Sequence, residues 1–262
     1  MDPAINIVMI GHSHLQAPMA ASRVPTSIAK TDTSAKFSFV SIDPKNKWQS
    51  PLVEEKNGML NPVIGNNLTH VGLFEPTSKR ALVSILAGNV HNATGLIRQQ
   101  VPYDVIIPSR PDLGVENGAR IVPVEQFLDF FRQHYRPFIR FFTLVMEMAN
   151  TDKVYWVESP PPIESSEHIA ENMDQWFKSN YNVTDLVPAR ASLRYKLWLL
   201  NRMVLEEAAK KGGWKLITAP ATALEPNGFL ARKAWAGDAT HGSAWYGEEL
   251  LKKIKAETAE TP

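Results

Sequence analysis

The chain has 262 residues and not one of them is cysteine. This absence excludes a disulfide framework, a thiolate zinc site and a cysteine nucleophile. An excess of one charge is also lacking: 28 Lys and Arg against 27 Asp and Glu leave a net charge of +1. Because the charges nearly cancel, we expect no nucleic-acid partner. No apolar run reaches the roughly 18 residues of a membrane-spanning helix, so we expect no membrane partner either.

The apolar run Ile5–Ile10 follows the first few residues at once. A secretory signal has a basic start, an apolar stretch and a small-residue cleavage site ahead of the folded domain. The run Ile5–Ile10 lacks those flanks, and we interpret it as the first strand. On this ground we expect a cytoplasmic protein.

Five short apolar runs alternate with helical stretches. The runs are Ile5–Ile10, Lys36–Asp43, Ala81–Ala87, Lys153–Glu158 and Trp214–Thr218. Continuous, β-branched runs of this length are typical of buried parallel strands. Their alternation with helices predicts an α/β fold, a parallel sheet covered by helices on both faces. In such sheets the functional groups gather at the carboxyl ends of the strands.

Three long helices are predicted. Val124–Asn150 is strongly helical, and Pro137 is expected to split or kink it. Ser192–Lys211 has apolar residues at helical spacing, with Ser192 as a potential N-cap. Ser243–Lys255 is a last amphipathic helix.

Two long segments exceed the minimal strand–helix pattern. They are residues 92–123, after the third predicted strand, and residues 163–191, after the fourth. Long loops are commonly functional, and we expect these to form walls or a lid over a substrate, with surface decoration as the alternative. We predict a single domain, residues 1–262, that carries both segments as insertions.

Polar residues with catalytic chemistry follow two of the strands and precede the last helix. Ser13 follows the first strand, and a serine hydroxyl becomes a nucleophile when a base takes its proton. Asp238 and His241 are three residues apart, a spacing that lets the carboxylate reach the imidazole. Each motif alone also fits a helix cap. A polar cluster at residues 88–92 follows the third strand and can supply an amide to an oxyanion.

The order of these three motifs resembles that of the SGNH, or GDSL-like, hydrolases over nearly the whole chain. The resemblance implies a three-layer α/β/α sandwich of the flavodoxin-like type, with five parallel strands in the order 2-1-3-4-5. It also implies that Ser13 attacks an ester carbonyl, that His241 acts as general base and then acid, and that Asp238 orients His241. The family's oxyanion hole uses the serine N–H, a glycine after strand two and an asparagine after strand three.

The sequence departs from the family pattern at three points. His12 stands where the Gly-Asp-Ser motif has Asp, and Val90 and His91 stand where the third block, Gly-x-Asn-Asp, has Asn and Asp. Because a slip of one residue is tolerable at a strand end, we predict Asn89 as the side-chain donor of the oxyanion hole. For the glycine donor we predict Gly65, with Gly72 as the alternative.

Several neighbouring side chains are predicted to bind substrate. We expect His12 to pack or hydrogen-bond under the nucleophile turn. Other polar residues are expected to line the cleft, and a tryptophan to stack on a sugar ring or acyl group. The predicted substrate-binding residues are His12, His14, His91, Asn92 and Trp235. Arginines of the first insertion, Arg98, Arg110 and Arg120, can bind an anionic substrate or stay solvated.

The predicted function is ester hydrolysis through an acyl-serine intermediate, without metal or organic cofactor. We expect a small-molecule ester as partner, with removal of a small acyl group such as acetyl from a carbohydrate. Three alternatives stay open: an O-acyltransferase of the same fold, a non-catalytic binding protein and a metal-dependent phosphoesterase. The last rests on the histidines of the first and third motifs, although their order is the reverse of the calcineurin-like pattern.

Overall fold

A computed structural model describes residues 4–43, 45–76, 79–173, 175–180 and 186–259. Residue 174 and residues 181–185 of the second insertion lie outside the described part. Five parallel strands form the main sheet: β1 (Ile5–Gly11), β2 (Ala35–Ser41), β3 (Arg80–Ile85), β6 (Val154–Val157) and β7 (Lys215–Ile217). A separate pair is formed by β4 (Tyr103–Asp104) and β5 (Arg120–Ile121).

The main sheet has the order β2-β1-β3-β6-β7, and its neighbours all pair in parallel. Counted along the chain, the five strands therefore stand in the order 2-1-3-4-5. The predicted fold class and strand order are confirmed. The carboxyl ends of β1 and β3 are neighbours, which brings the first and third sequence motifs to one edge of the sheet.

Helices connect the strands. They are α1 (Gln16–Ser22), α2 (Ile28–Thr31), α3 (Pro62–His70), α4 (Val90–Gly95), α5 (Val124–Ala149), α6 (Ser166–Glu171), α7 (Gln175–Asn180), α8 (Ala191–Gly212) and α9 (Ala244–Ala259). Helix α3 was not predicted. Asn61 caps it, accepting the N–H of Val63 at 3.0 Å, and Pro62 opens it, a cap-and-proline signal that the sequence does carry.

Alternate residues of β1 enter two separate cores. Val8 and Ile10 are fully buried on the face that packs against α3, α5 and α8. Ile7 and Met9 are equally buried on the opposite face, against α1 and α9. Because side chains of a strand alternate between faces, a strand that is apolar throughout requires cover on both sides. This pattern produces the three layers.

The structure excludes a split of α5 at Pro137 and contradicts the predicted cap of α8. Helix α5 runs unbroken for 26 residues through Pro137, so the proline does not split it. Packing of its apolar stripe against the sheet outweighs the single hydrogen bond that proline removes. Ser192 does not cap α8: the residue at the N-cap is Arg190, and no side chain caps this end.

Buried charges on α8 fasten both insertions to the core. Lys196 and Asp104 form an ion pair at 2.8 Å with each side chain only 1% exposed, and Lys196 also donates to the carbonyl of Gly114. Arg194 donates to the carbonyls of Ile163 and Glu164 at 3.0 and 2.7 Å. Since a buried cation is tolerated only when it is paired, these contacts fix where both insertions leave the sheet. In the described ranges, no helix has the length and apolarity needed to cross a membrane.

Candidate active site

The turn that follows β1 presents Ser13. Gly11 ends the strand so close to β3 that a Cβ atom there would lie 2.9 Å from the carbonyl oxygen of Ile85. The chain then enters a short 3-10 turn, Ser13–Leu15, with the Ser13 side chain exposed. As the first residue of the turn, Ser13 has a backbone N–H without an intrahelical partner. The rigid strand thus positions a hydroxyl and a free N–H at the sheet edge.

A tight turn before α9 carries Asp238 and His241. Asp238 Oδ1 accepts the backbone N–H groups of Thr240 and His241 at 2.9 and 2.8 Å. The N–H of Ala236 closes the turn by donating to the carbonyl of His241 at 3.0 Å. One carboxylate oxygen is therefore used to build the turn, and the other remains for the imidazole.

Two hydrogen bonds join the turn to the nucleophile motif. Ser13 Oγ lies 2.8 Å from His241 Nε2, and His241 Nδ1 lies 3.0 Å from Asp238 Oδ2. Burial by itself would raise the pKa of Asp238. The hydrogen bond and charge of His241, with the two N–H donors, outweigh burial and hold that pKa well below its usual range. Asp238 therefore stays ionised beside the ring.

A cavity of about 520 Å³ lies over this hydrogen-bonded chain. Its walls come from the nucleophile turn, from α1 and from residues 235–244. Trp235 belongs to the wall and is fixed by its Nε1–H, which donates to the carbonyl of Leu230 at 2.7 Å. Trp235 and Ser13 therefore line the same cavity, and a contact of Trp235 with substrate stays a prediction.

His14 packs under His241 and offers no hydrogen bond to the cavity. The two ring centroids are 4.6 Å apart, and His14 is 5% exposed. Burial lowers the pKa of His14 well below its ordinary value, and the neighbouring His241 and His91 lower it further. Neither ring nitrogen of His14 has a partner among the described residues. His14 also lines the cavity beside Ser13, so it lies in the cleft as predicted, and its contact with a substrate stays a prediction.

His12 lies beneath the nucleophile turn, as predicted. Its Nδ1 accepts the backbone N–H of Ala87 at 3.3 Å, which ties the end of β1 to the end of β3. Burial, reinforced by the nearby His134, lowers the pKa of His12 to about 4, so the ring is neutral at pH 7. Its ring meets Phe138 edge-on at 5.3 Å. A role of His12 in substrate binding stays a prediction.

The residues that follow β3 divide into one half-exposed amide and two buried side chains. Asn89 is the N-cap residue of α4, and its Oδ1 accepts Asn92 Nδ2 at 2.8 Å. This bond leaves the amide NH₂ of Asn89 available. Asn92 and His91 are 5% and 2% exposed, so neither reaches a substrate. Their prediction as binding residues is wrong, because α4 turns both side chains inward.

Gly65 does not lie at the site. It is inside α3, where its N–H donates to the carbonyl of Asn61 at 2.8 Å, and the N–H of the alternative, Gly72, donates to Thr69. A helical N–H cannot also serve an oxyanion, so the prediction of Gly65 is wrong. After β2, the described N–H groups of residues 42, 43 and 45 all have acceptors as well.

Sequence reasoning missed a histidine of the second insertion. His168 in α6 contacts the carbonyl oxygen of Asp238 through Nε2 at 3.0 Å, and Asn172 Nδ2 lies 3.3 Å from His168 Nδ1. The ring of His168 also packs 4.8 Å from that of Trp235. No motif links residues 168 and 238, which are 70 positions apart, so only the folded chain reveals that this insertion braces the catalytic turn.

The remaining charged predictions have simpler outcomes. Arg98 pairs with Glu116 at 2.8 Å, and Arg110 pairs with Asp112 at 2.7 Å. Both guanidinium groups are therefore already engaged. Within the described segments, no group of three His, Asp or Glu side chains is arranged to hold a metal ion.

Comparison with known proteins gives matches by structure. No family model matches the sequence, and no curated protein matches it either. The periplasmic domain of a Salmonella ser. Paratyphi A lipopolysaccharide acetyltransferase superposes with a TM-score of 0.53 at 10% identity, over 99% of this chain and 85% of that one. An extracellular lipase from Streptomyces rimosus gives 0.51 at 11% identity, over 97% and 100%.

At such low identity the similarity establishes the fold alone, and the chemistry has to be inferred from the residues of the site. The sheet order, the three layers and the position of the Ser13 turn at the carboxyl edge all agree with the resemblance seen in the sequence. The chain has the fold of the SGNH, or GDSL-like, hydrolases.

Proposed function

We propose that the protein is a serine ester hydrolase that acts through an acyl-serine intermediate. The observation that carries this proposal is the continuous chain from Ser13 Oγ through the His241 ring to Asp238, with links of 2.8 and 3.0 Å. A hydroxyl, an imidazole and a carboxylate joined in this order are the working parts of acyl transfer to serine.

The geometry supports a stepwise mechanism. The Ser13 hydroxyl proton passes to His241 Nε2 as Oγ forms a bond to the ester carbonyl carbon. Asp238 keeps Nδ1 protonated and stabilises the imidazolium, and its lowered pKa means that it does not take the proton itself. The imidazolium then protonates the departing alcohol, leaving acyl-serine. Water repeats the steps, with its proton going to Nε2, and releases the acid and free Ser13.

Two donors are available for the developing oxyanion. The backbone N–H of Ser13 is free because it begins its turn. The amide NH₂ of Asn89 is the second, and Asn92 holds the carboxamide in the orientation that leaves this NH₂ unpaired. Donors fixed before the reaction stabilise charge without reorganisation. Asn92 is thus a positioning residue.

The cavity supports a proposal for the substrate class. Its volume of about 520 Å³ suits a small molecule, and Trp235 offers an aromatic face beside Ser13. Aromatic faces stack on sugar rings as well as on acyl groups. We propose a small acyl group, such as acetyl, on a carbohydrate or another small alcohol.

The proposal is tested by labelling and turnover. The protein is treated with a serine-directed fluorophosphonate, and acetate release is measured from p-nitrophenyl acetate and from acetylated glucosides, with and without added methanol. We expect labelling at Ser13 and turnover that falls about 10⁶-fold in Ser13→Ala. Methanolysis in place of hydrolysis would assign acyl transfer.

A matched variant controls for reactive surface serines. Ser34 is another serine on a turn, and Ser34→Ala leaves the hydrogen-bonded chain untouched. Full activity in Ser13→Ala, or activity that a chelator abolishes, would refute the serine mechanism.

A further inference from the structure

A second cavity, of about 530 Å³, lies on the other side of the nucleophile motif. His12 forms part of its wall, and the next residue is Ser13. The rest of the wall comes from residues 49–55, after β2, and from residues 136–140 of α5. The cavity is large enough for a small molecule, and its lining residue His12 is the chain neighbour of Ser13.

Two arginines against one glutamate give the lining of this cavity a net positive charge. Arg136 and Arg140 are one helical turn apart, so they share a face of α5, and both line the cavity. In the part of the chain that the structure describes, neither guanidinium has a carboxylate within 4.0 Å. The lining also holds one acid, Glu55, and like both arginines it is exposed.

Three other arginines, one of them on the same helix, differ in this respect. Arg132, one turn before Arg136, contacts Glu207 at 2.9 Å and Asp129 at 2.9 Å. Arg98 and Arg110 are paired as well. An arginine that lacks an internal carboxylate but lines a cavity is suited to bind a carboxylate or a phosphate of a ligand.

The remaining wall is mostly apolar. Leu52, Val53, Pro137 and Phe138 contribute to it. Small-molecule sites commonly combine such a wall with a few polar groups that fix the orientation of the ligand. Gln49 is one such group: its Oε1 accepts the N–H of Asp43 at 2.7 Å, which holds the amide in place.

We propose that this cavity binds an anionic group of the substrate, a carboxylate or phosphate that pairs with Arg136 and Arg140 while the ester lies at Ser13. The substrate class is then an acylated acidic sugar. The inference rests on the proposed function, because it assigns the substrate of the same serine. Holding the far end of the substrate orients the ester toward the nucleophile.

The test uses three methyl glucosides acetylated on the ring hydroxyls. They differ at the exocyclic carbon, which is a hydroxymethyl group, a carboxylate or a phosphorylated hydroxymethyl group. Acetate release gives kcat/KM for each. We expect at least one anionic ester to exceed the neutral one by about tenfold or more at low salt, and added salt to shrink the gap. The better anion identifies the group.

Charge variants locate the recognition. Arg136→Gln and Arg140→Gln are each expected to lower kcat/KM for the anionic ester about tenfold and to leave the neutral ester unchanged. Arg132→Gln removes the same charge from the same helix outside the cavity, and should change neither. Equal rates for charged and neutral esters, or an equal loss in Arg132→Gln, would overturn the proposal.

A binding measurement separates this proposal from the proposed function. Ser13→Ala protein is titrated with methyl glucuronoside and, for comparison, methyl glucoside, by calorimetry. Binding of the glucuronoside that is lost in Arg136→Gln supports the site even if no esterase activity is found. Esterase activity without any preference for the acid in binding or turnover rejects the anionic site and leaves the serine mechanism standing.

Discussion

The two sides of the active-site edge are held by different forces. At the Ser13 side, the catalytic atoms are joined by hydrogen bonds of 2.8 to 3.0 Å. At the end of β3, Ala87 has a left-handed backbone with φ 55°, and the buried ring of His91 has no hydrogen-bond partner among the described residues. Polar pairing joins the groups of the first side, whereas on the second side close packing and a left-handed backbone act together with the Asn89–Asn92 hydrogen bond.

The comparison teaches that the two sides tolerate opposite changes. A change of hydrogen-bonding capacity with constant shape is severe on the paired side, since it alters which atom carries the proton. A change of shape with constant polarity lowers stability on the packed side, because an added atom there meets close neighbours. Three predictions test this contrast.

The largest effect is expected for Asp238→Asn. The amide keeps the size of the carboxylate but favours the wrong tautomer of His241, so we expect kcat to fall about 10⁴-fold. Acetate release under substrate saturation measures the loss, and a thermal melt checks the fold. A loss below tenfold would show that the paired side does not depend on this carboxylate.

Asn89→Ala is expected to have the next largest effect. Removal of one oxyanion donor costs about 10²–10³-fold in kcat, with little change in KM because the donor acts on the transition state. Asn66→Ala, at an exposed position of α3, is the matched control. If both variants keep the parent rate, the second donor lies elsewhere on the packed side.

Gly88→Ala should have the smallest effect, and on stability. A Cβ atom there would lie 2.7 Å from Cδ2 of His14 and 3.2 Å from Cβ of Ser159. Overpacking of this kind costs about 1–3 kcal/mol, measurable by urea unfolding.

A matched glycine and a double variant sharpen this last test. Gly237→Ala is the control, because no atom lies within 4 Å of its added Cβ. The combination with His14→Ala should cost less than the sum of the two single changes, because both act on one contact. Strict additivity would contradict the packing account.

Much of this arrangement follows from the sequence, and the reason lies in the range of the interactions. Asp238 and His241 are close in sequence and lie in one turn. The apolar strands can be predicted from their composition. Their meeting with Ser13 then follows from the sheet order. The resemblance was needed to choose among otherwise ordinary turns.

What the sequence did not reveal depends on long-range packing. The inward orientation of His91 and Asn92 depends on α4, a helix of one and a half turns without a distinct signal. Gly65 was misplaced because α3 was taken for a loop. The surroundings of His168 and Arg136 come from segments far away in the chain, so no local sequence spacing predicts the roles of these two residues.

The contact between His168 and the carbonyl of Asp238 has a consequence for engineering. The second insertion contacts both the turn of Asp238 and the wall of the cleft, because the His168 ring bonds the carbonyl of Asp238 and packs against Trp235. A loop exchange intended to alter specificity would therefore also change the position of Asp238 and His241. The exchanged segment must supply an equivalent contact to the carbonyl of Asp238. Residues 163–173 and 234–243 are in contact, so an exchange of one segment should include the other.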